Sequence, residues 1–491
     1  MYLLEIAVFV CGAVVMIYEL IGSRILGPYF GNSIFVWTSL IGVILGSLSL
    51  GYYLGGKLAD KKPTVDSLAL IIFLAAVFIG VTTLIKDMLL FWLQSNFADI
   101  KINSILSSVI LFFPTSFLLG MVSPYSAKLK IDDLTRSGST VGNLYALSTA
   151  GSILGTFISG FYLIPKFGTN KLLIILTITL IVISLSLSIK KKFKIKIAAL
   201  IITALIWGTI NQIEIINKKN NFIDTDTAYN RIWIYDQTNN VTHQTTRTLA
   251  INKDHNSAMF LNSDELAFEY TKYYHLARYF KPDFQNTLML GGGGFSFPKN
   301  FLLKYPKATM DVVEIDPIVT ELAKKYFNLK ENPRLNIYVQ DGRVFLNKNQ
   351  KKYDVVFGDA FSSHYSLPYQ LTTKEAVQKT YDALSDNGVV ILNTISAIDG
   401  EKGEFLRAEL ATYKSIFPQA YIFPVNNPDN GDSVQNVILV ALKSKNVPNF
   451  KNTDNDIKTC LSHLWNKNIA TDMPILTDDF APVEYYINKT G

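Results

Sequence analysis

The sequence predicts a two-part protein: an N-terminal α-helical transmembrane bundle of six or seven spans, then a C-terminal doubly wound α/β domain preceded by a small β-sheet. Three observations carry this. The chain of 491 residues is 49% hydrophobic, and nearly all of its long apolar runs fall before about residue 213. From Asn286 onward, short apolar runs alternate with helical patterns, as in a parallel sheet with crossover helices. The first of those runs ends in "LMLGGGGFSFP", four consecutive glycines where only a close backbone approach or an unusual backbone conformation explains the absence of side chains.

Charge divides at the same place. Residues 1–213 hold 16 Lys/Arg against 8 Asp/Glu, and the remainder holds 30 against 32. The net +6 therefore belongs to the apolar half, and the neutral C-terminal half lacks the basic face a nucleic-acid partner requires. Two cysteines, Cys11 and Cys460, and five histidines without ligand spacing predict neither a disulfide framework nor a metal site. The first apolar run contains Glu5 and Glu19 and has no basic stretch before it, unlike a cleavable signal.

A bilayer requires about 20 apolar residues per helix. Spans are predicted near 3–22, 34–55, 67–86, 104–123, 141–165 and 171–189, with a shorter seventh at 195–210. Small residues at helix-packing spacing, in "LIGVILGSLSLGYYLGG" and "ALSTAGSILGTFISGF", predict close helix contacts. Glu19 is the sharpest intramembrane acid, either functional or paired with Arg24. Lys57, Lys61 and Lys62, then Lys128, Lys130 and Arg136, then "KKKFKIK" follow alternate spans, which puts those loops and the N-terminus in the cytoplasm of a multi-pass cell-membrane protein. A seventh span that crosses fully would put the C-terminal half outside. A cytosolic C-terminal half is expected here, because a nucleoside donor made in the cytosol is implied below, and this requires span 7 not to cross completely. "GGKLADKK", Gly55–Lys62, resembles the loop between helices 2 and 3 of major-facilitator transporters, again a cytoplasmic loop.

Residues 222–285 read as a small sheet from "RIWIYD", "RTLAINK" and "SAMFLN". Residues 286–445 form the Rossmann-like nucleoside-binding domain, and 446–491 a C-terminal extension. Within the domain, "TLMLG", "TMDVVEID", "LNIYVQD", "YDVVFGD" and "GVVILNT" are strands. "PKNFLLKY", "PIVTELAKKYF" (with Pro317 in the first turn) and "KEAVQKTYDAL" are helices. Ligands of such sheets bind at the carboxyl ends of the strands. Those ends carry Gly291–Gly294, then Glu314 and Asp316, then Asp341–Gly342, then Asp359. Glycines admit a ligand to the backbone, an acid after the second strand accepts ribose hydroxyls, and Asp341 suits an exocyclic adenine amine. The bland alternative is that the acids only cap helices. No GxxxxGK[ST] and no clean GxGxxG is present, and acids at several strand ends disfavour phosphate. A cationic nucleoside fits better: S-adenosylmethionine or its decarboxylated form, on a Rossmann-like S-adenosylmethionine-dependent transferase fold.

"LMLGGGGFSFP…DVVEIDP…VQDGRVFL…YDVVFGDAFSS", with "TAYNRIWIYD" before it, resembles spermidine synthase, the polyamine aminopropyltransferase family. The whole chain resembles membrane-fused homologues whose N-terminal part is described as transporter-like. The resemblance implies Gly291, Gly292 and Gly293 under the donor, Glu314 on the ribose, Asp341–Gly342 at the adenine, and Asp359 accepting the proton of the attacking amine. Asn230 stands near the family's Gln, and Tyr270 near a substrate-site His. Two departures stand out. The family reads GGGDGG where this chain has Gly294, and D-S-S-D where it has Asp359, Ala360, Phe361 and Ser362. Both missing acids hold ammonium groups in the family. Gly294 and Ser362 are therefore expected to face one substrate pocket that has lost two charges, with Gly294 leaving room there.

The implied activity is aminopropyl transfer from decarboxylated S-adenosylmethionine to a small-molecule amine. The alternatives are methyl or other alkyl transfer from the intact donor, or a non-catalytic nucleoside-binding domain fused to a transporter-like bundle. The lipid bilayer is the other expected partner, and the sequence leaves a homo-oligomer open.

Overall fold

The computed structural model describes residues 2–61, 63–97, 99–131, 137–188, 192–239, 243–252, 254–360 and 367–489. The chain forms two compact units, Met1–Arg231 and Ile232–Gly491.

The first unit is helical: α1 (Tyr2–Phe30), α2 (Ile34–Lys61), α3 (Val65–Asn96), α4 (Ile100–Gly120), α5 (Val122–Lys130), α6 (Ser137–Ile158), α7 (Ile164–Leu187) and α8 (Phe193–Lys219), then the short strand β1 (Ile223–Asp226). Six helical stretches among the described residues are long and apolar enough to cross a membrane. The longest, Ser137–Leu187, has 51 residues, far more than one crossing needs, and it breaks at Gly168, where φ is +71°. It therefore supplies two crossing lengths.

Within the small-residue runs, Gly51, Gly55, Gly151 and Gly155 lie where helices touch, while a Cβ on Gly42, Gly46, Gly56 or Gly160 would meet open space. α1 packs on α6, and α2 on α4. A Cβ on Gly12 or Gly151 would run into the carbonyl of Ser148 or Phe9, and one on Gly51 into that of Phe117. Backbone contact this close is how helices associate without a hydrophobic driving force.

Ion pairs mark the two ends of the bundle. At one end Lys128 pairs with Asp60 (3.0 Å) and Lys130 with Glu5. At the other, Tyr29 donates to Asp87 (2.9 Å), and Arg231 holds Asp224 through two bonds of 2.9 and 2.7 Å. α8 runs the full distance beside α7. Lys196, counted above as a loop cation, is buried and donates to the Ser184 and Ser188 carbonyls at the end of α7, while Glu214 pairs with Lys171 near its start. The seventh segment is thus a 27-residue helix, longer than the sequence predicts. Arg24 donates to the Ala228 carbonyl.

The second unit opens with an antiparallel meander, β2 (Arg231–Thr238), β3 (Thr245–Ile251) and β4 (Asp254–Phe260). Two short helices follow, α9 (Glu269–Lys272) and α10 (Ala277–Phe280), joined by a 3₁₀ turn over Tyr273–Leu276. The α/β part is β5 (Asn286–Leu290), α11 (Ser296–Lys304), β6 (Thr309–Glu314), α12 (Pro317–Tyr326), β7 (Leu335–Val339), α13 (Gly342–Lys348), β8 (Tyr353–Gly358), α14 (Lys374–Ala383), β9 (Leu384–Ser396), α15 (Glu404–Lys414), β10 (Gln419–Pro424) and β11 (Gln435–Leu442). The sheet order is β10-β11-β9-β8-β5-β6-β7. It is mixed rather than wholly parallel, because β11 runs antiparallel to both neighbours. Leu288, Val356, Val390 and Leu439 fill the core beneath it. α16 (Asn455–Ser462) and α17 (Val483–Ile487) close the chain, and Val483 and Tyr486 pack with Phe405 of α15.

Candidate active site

Strand order reverses between β5 and β8, and a crevice at that switch point is where such sheets bind ligands. Gly291 and Asp359 leave the two strands side by side. The Asp359 N–H donates to the Leu290 carbonyl (2.8 Å), and a Cβ on Gly291 would run into the Asp359 carbonyl. Gly291 also has φ +93°, a conformation that favours glycine. What lies close to the first glycine is therefore the backbone of the candidate base.

Glu314, at the end of β6, reaches back under the glycine loop. Its Oε2 accepts from Gly292 N–H (2.9 Å) and Gly293 N–H (3.3 Å), and its Oε1 from Asp316 N–H (3.0 Å). Burial raises its pKa, and the three backbone donors oppose that rise. Asp341 caps α13, its Oδ1 accepting from Val344 N–H (3.0 Å), while Oδ2 accepts from the Gln370 amide (3.3 Å). Asp316 caps α12 through Ile318 N–H. Capping is thus a real part of what Asp316 and Asp341 do, and Glu314 supports the loop instead. Gly342 lies under Leu371.

Asp359 is enclosed by aromatic side chains. Burial pushes its pKa up to about 6, against the pull of its hydrogen-bond donors. Asn393 donates to Oδ1 (3.3 Å) and the Tyr270 hydroxyl to Oδ2 (3.2 Å). The Tyr274 hydroxyl meets no partner at full hydrogen-bond geometry, yet its proximity also lowers the Asp359 pKa. Burial first, and the Asp359 charge second, raise both phenols well above their usual range. Sequence reasoning did not find Tyr274 or Asn393. The available signals were the four-residue spacing from Tyr270 and the polar residue late in "GVVILNT".

Gly294 is not the open position expected from the sequence. Positive φ occurs at Gly291, Gly293 and Phe295, not at Gly294. A Cβ on Gly294 would stand 2.8 Å from the Phe327 ring and 2.8 Å from Ser257 Oγ. Phe295 folds back so that its ring would lie 2.7 Å from a Cβ on Gly292. Both phenylalanines are fully buried. The loop thus ends against an aromatic wall rather than a vacant pocket. Ser362 lies outside the described residues. Asn230 belongs to the N-terminal unit, where its carbonyl accepts from Thr227 N–H (2.8 Å).

Residues 268–452 match the spermine/spermidine synthase domain family. The C-terminal half carries a spermidine synthase domain. This domain is 34% identical over 168 residues to the polyamine aminopropyltransferase of Vibrio vulnificus, a match covering 34% of this chain and 53% of that protein. It is 30% identical over 169 residues to the N-terminal histidine N-methyltransferase of Emericella nidulans, covering 33% of this chain and 29% of that protein. A probable spermidine synthase from Corynebacterium glutamicum superposes with a TM-score of 0.42 at 20% identity, over 50% of this chain and 88% of that one. The chain spans about half the length of the curated aminopropyltransferases it matches. The synthase domain includes every described residue of the strand-end set from Tyr270 to Asp359. No group of three or more His, Cys, Asp or Glu among the described residues is placed to hold a metal ion.

Proposed function

We propose that the synthase domain transfers an aminopropyl group from decarboxylated S-adenosylmethionine to a small-molecule amine, and that residues 1–213 tether it in a cell membrane. The observation that supports this best is Asp359, a buried carboxylate with a pKa near 6 at the sheet's switch point. Asp359 takes a proton from the amine as its nitrogen attacks the carbon on the sulfonium. The C–S bond breaks, its electron pair goes to sulfur, and neutral methylthioadenosine leaves. Gly291 to Gly293 pass under the donor. Glu314 takes the ribose hydroxyls, shifting from the loop N–H groups it now holds, and Asp341–Gly342 bound the adenine. Tyr270 steers the amine onto Asp359.

The wall at Gly294 favours a second reading. With no carboxylate there to hold the donor's ammonium, intact S-adenosylmethionine becomes an acceptable donor, and a methyl or other alkyl group the one transferred. Product analysis separates the readings. Methylthioadenosine from the decarboxylated donor supports the first, and S-adenosylhomocysteine from the intact donor the second. Neither product with any amine would leave a nucleoside-binding domain without catalysis.

For orientation, the full reach of α8 beside α7 supports a complete seventh crossing. A complete crossing favours the side opposite the basic loops for residue 218, whereas a donor made in the cytosol favours the cytosolic side, and labelling at that residue decides between them.

A further inference from the structure

Where α7 begins and α8 ends, the N-terminal unit contains a cavity of about 230 Å³. Its charged lining is four cations, Lys166, Lys171, Lys218 and Arg231, against three carboxylates. The carboxylates are already engaged. Glu214 alone serves both Lys171 (3.3 Å) and Lys218 (2.9 Å), Asp224 is held by Arg231, and Asp226 accepts from Thr169 N–H at the first turn after Gly168 (2.8 Å). Among the described residues Lys166 has no carboxylate partner. Its Nζ donates to the Tyr162 hydroxyl (2.7 Å) and lies 4.8 Å from that ring. The cavity therefore has a surplus of ammonium charge and stands at the positive end of the helix that follows Gly168.

The surroundings fit the level of lipid headgroups. Phe161 and Tyr162 are exposed beside Lys166, the aromatic-and-lysine grouping that gathers at membrane–water boundaries. Ile213 both lines the cavity and is exposed, and Ile202 and Leu205 continue that apolar exposure along α8, of which only Lys196 and Thr203 are buried.

We propose that this cavity binds the phosphate of an anionic phospholipid, whose acyl chains lie along the exposed apolar side of α8. Basic recesses between membrane helices recognise headgroup phosphate by charge and gain further from chain burial. This site is independent of the transferase reading.

The test is thermal melting of the full chain in neutral detergent, with phosphatidylglycerol, phosphatidylcholine or inorganic phosphate added. A ligand of the folded state raises the melting temperature. The expected result is a rise with phosphatidylglycerol alone, cut by at least half in Lys166→Gln/Lys171→Gln. Lys166→Gln alone, at an exposed side chain, is the fallback should the double variant not fold, and it is expected to weaken the same rise. An equal rise with inorganic phosphate would keep the phosphate chemistry and overturn the lipid. Equal rises with both lipids, or a full rise in the variants, would overturn the site.

Discussion

The Tyr270 hydroxyl donates to Asp359 Oδ2 across 3.2 Å, tying the helical turn before the sheet to the end of β8. This bond favours the ionised carboxylate, so its loss raises the Asp359 pKa. Tyr270→Phe is therefore expected to move the acid limb of the kcat/KM profile to higher pH. An unmoved limb would mean that Tyr270 does not act on the titrating group.

The proposed base, Asp359, makes a stronger prediction. Asp359 must be ionised to accept a proton, so activity should rise through about pH 6 and level off above it. Asp359→Asn should lower kcat by about 10²- to 10⁴-fold, the usual worth of a general base, with the nucleoside still bound. Full activity in this variant would remove Asp359 from the chemistry.

Glu314→Ala deletes an acceptor that now serves Gly292, Gly293 and Asp316 N–H groups. Hydrogen bonds to a charged group contribute about 1.5–3 kcal/mol each, so methylthioadenosine binding should weaken by ten-fold or more, and the loop should lose stability as well. Calorimetry beside a melting curve separates the two effects. Unchanged affinity in a folded variant would exclude Glu314 from the ribose site.

Gly294→Asp should not restore a diamine-type pocket, because its Cβ would press on Phe327 and Ser257. It should lower the melting temperature, and adding Phe327→Ala should recover part of that loss by clearing the ring. A stable single variant with raised activity on decarboxylated donor would show that the wall yields.

Glu409, buried on α15, gives a prediction about stability. Burial raises its pKa from 4.5 to about 8. Its contribution is fully present below about pH 4.5, where folded and unfolded chains both hold the proton. It is lost as pH rises to about 8, at roughly 1.4 kcal/mol per pH unit, because the unfolded chain ionises first. Glu409→Gln should flatten the fall in stability over that window, and an unchanged slope in denaturant titrations would contradict it.

A cysteine placed at Lys218 tests the orientation. Both native cysteines are buried, so background labelling should be low. With α8 crossing fully, an impermeant reagent should label Lys218→Cys in intact cells. Labelling only after permeabilisation would support the cytosolic placement and an incomplete seventh crossing.

How much of this was legible in the sequence depended on where each cause sits along the chain. Glu314, Asp341 and Asp359 could be found because a strand pattern reveals its own end, and the acids stand there. The aromatic wall could not. Phe327 lies 33 residues beyond Gly294 and reaches it only through the fold. Asn393 was hidden likewise, four strands beyond the glycines in the chain but beside Asp359 in the sheet. The last turns of α8 were missed for another reason. Asn211, Gln212 and Glu214 interrupt its apolar run, and the helix continues through them because Glu214 is paired on both sides. The antiparallel β11 was missed because its apolar run, like any buried strand's, carries no sign of direction.

The glycine seam between α1 and α6 bears on how the protein is made. On the proposal that residues 1–213 span a bilayer, α1 is made before α6, and the surface that must receive the Phe9 and Ala13 carbonyls arrives only with Gly151 and Gly155. Until then the groove at Gly12 has nothing of its own to close it. The nascent helix must wait against lipid or the insertion machinery while α2 to α5 are laid down. A chain cut short before residue 137 would leave that groove open.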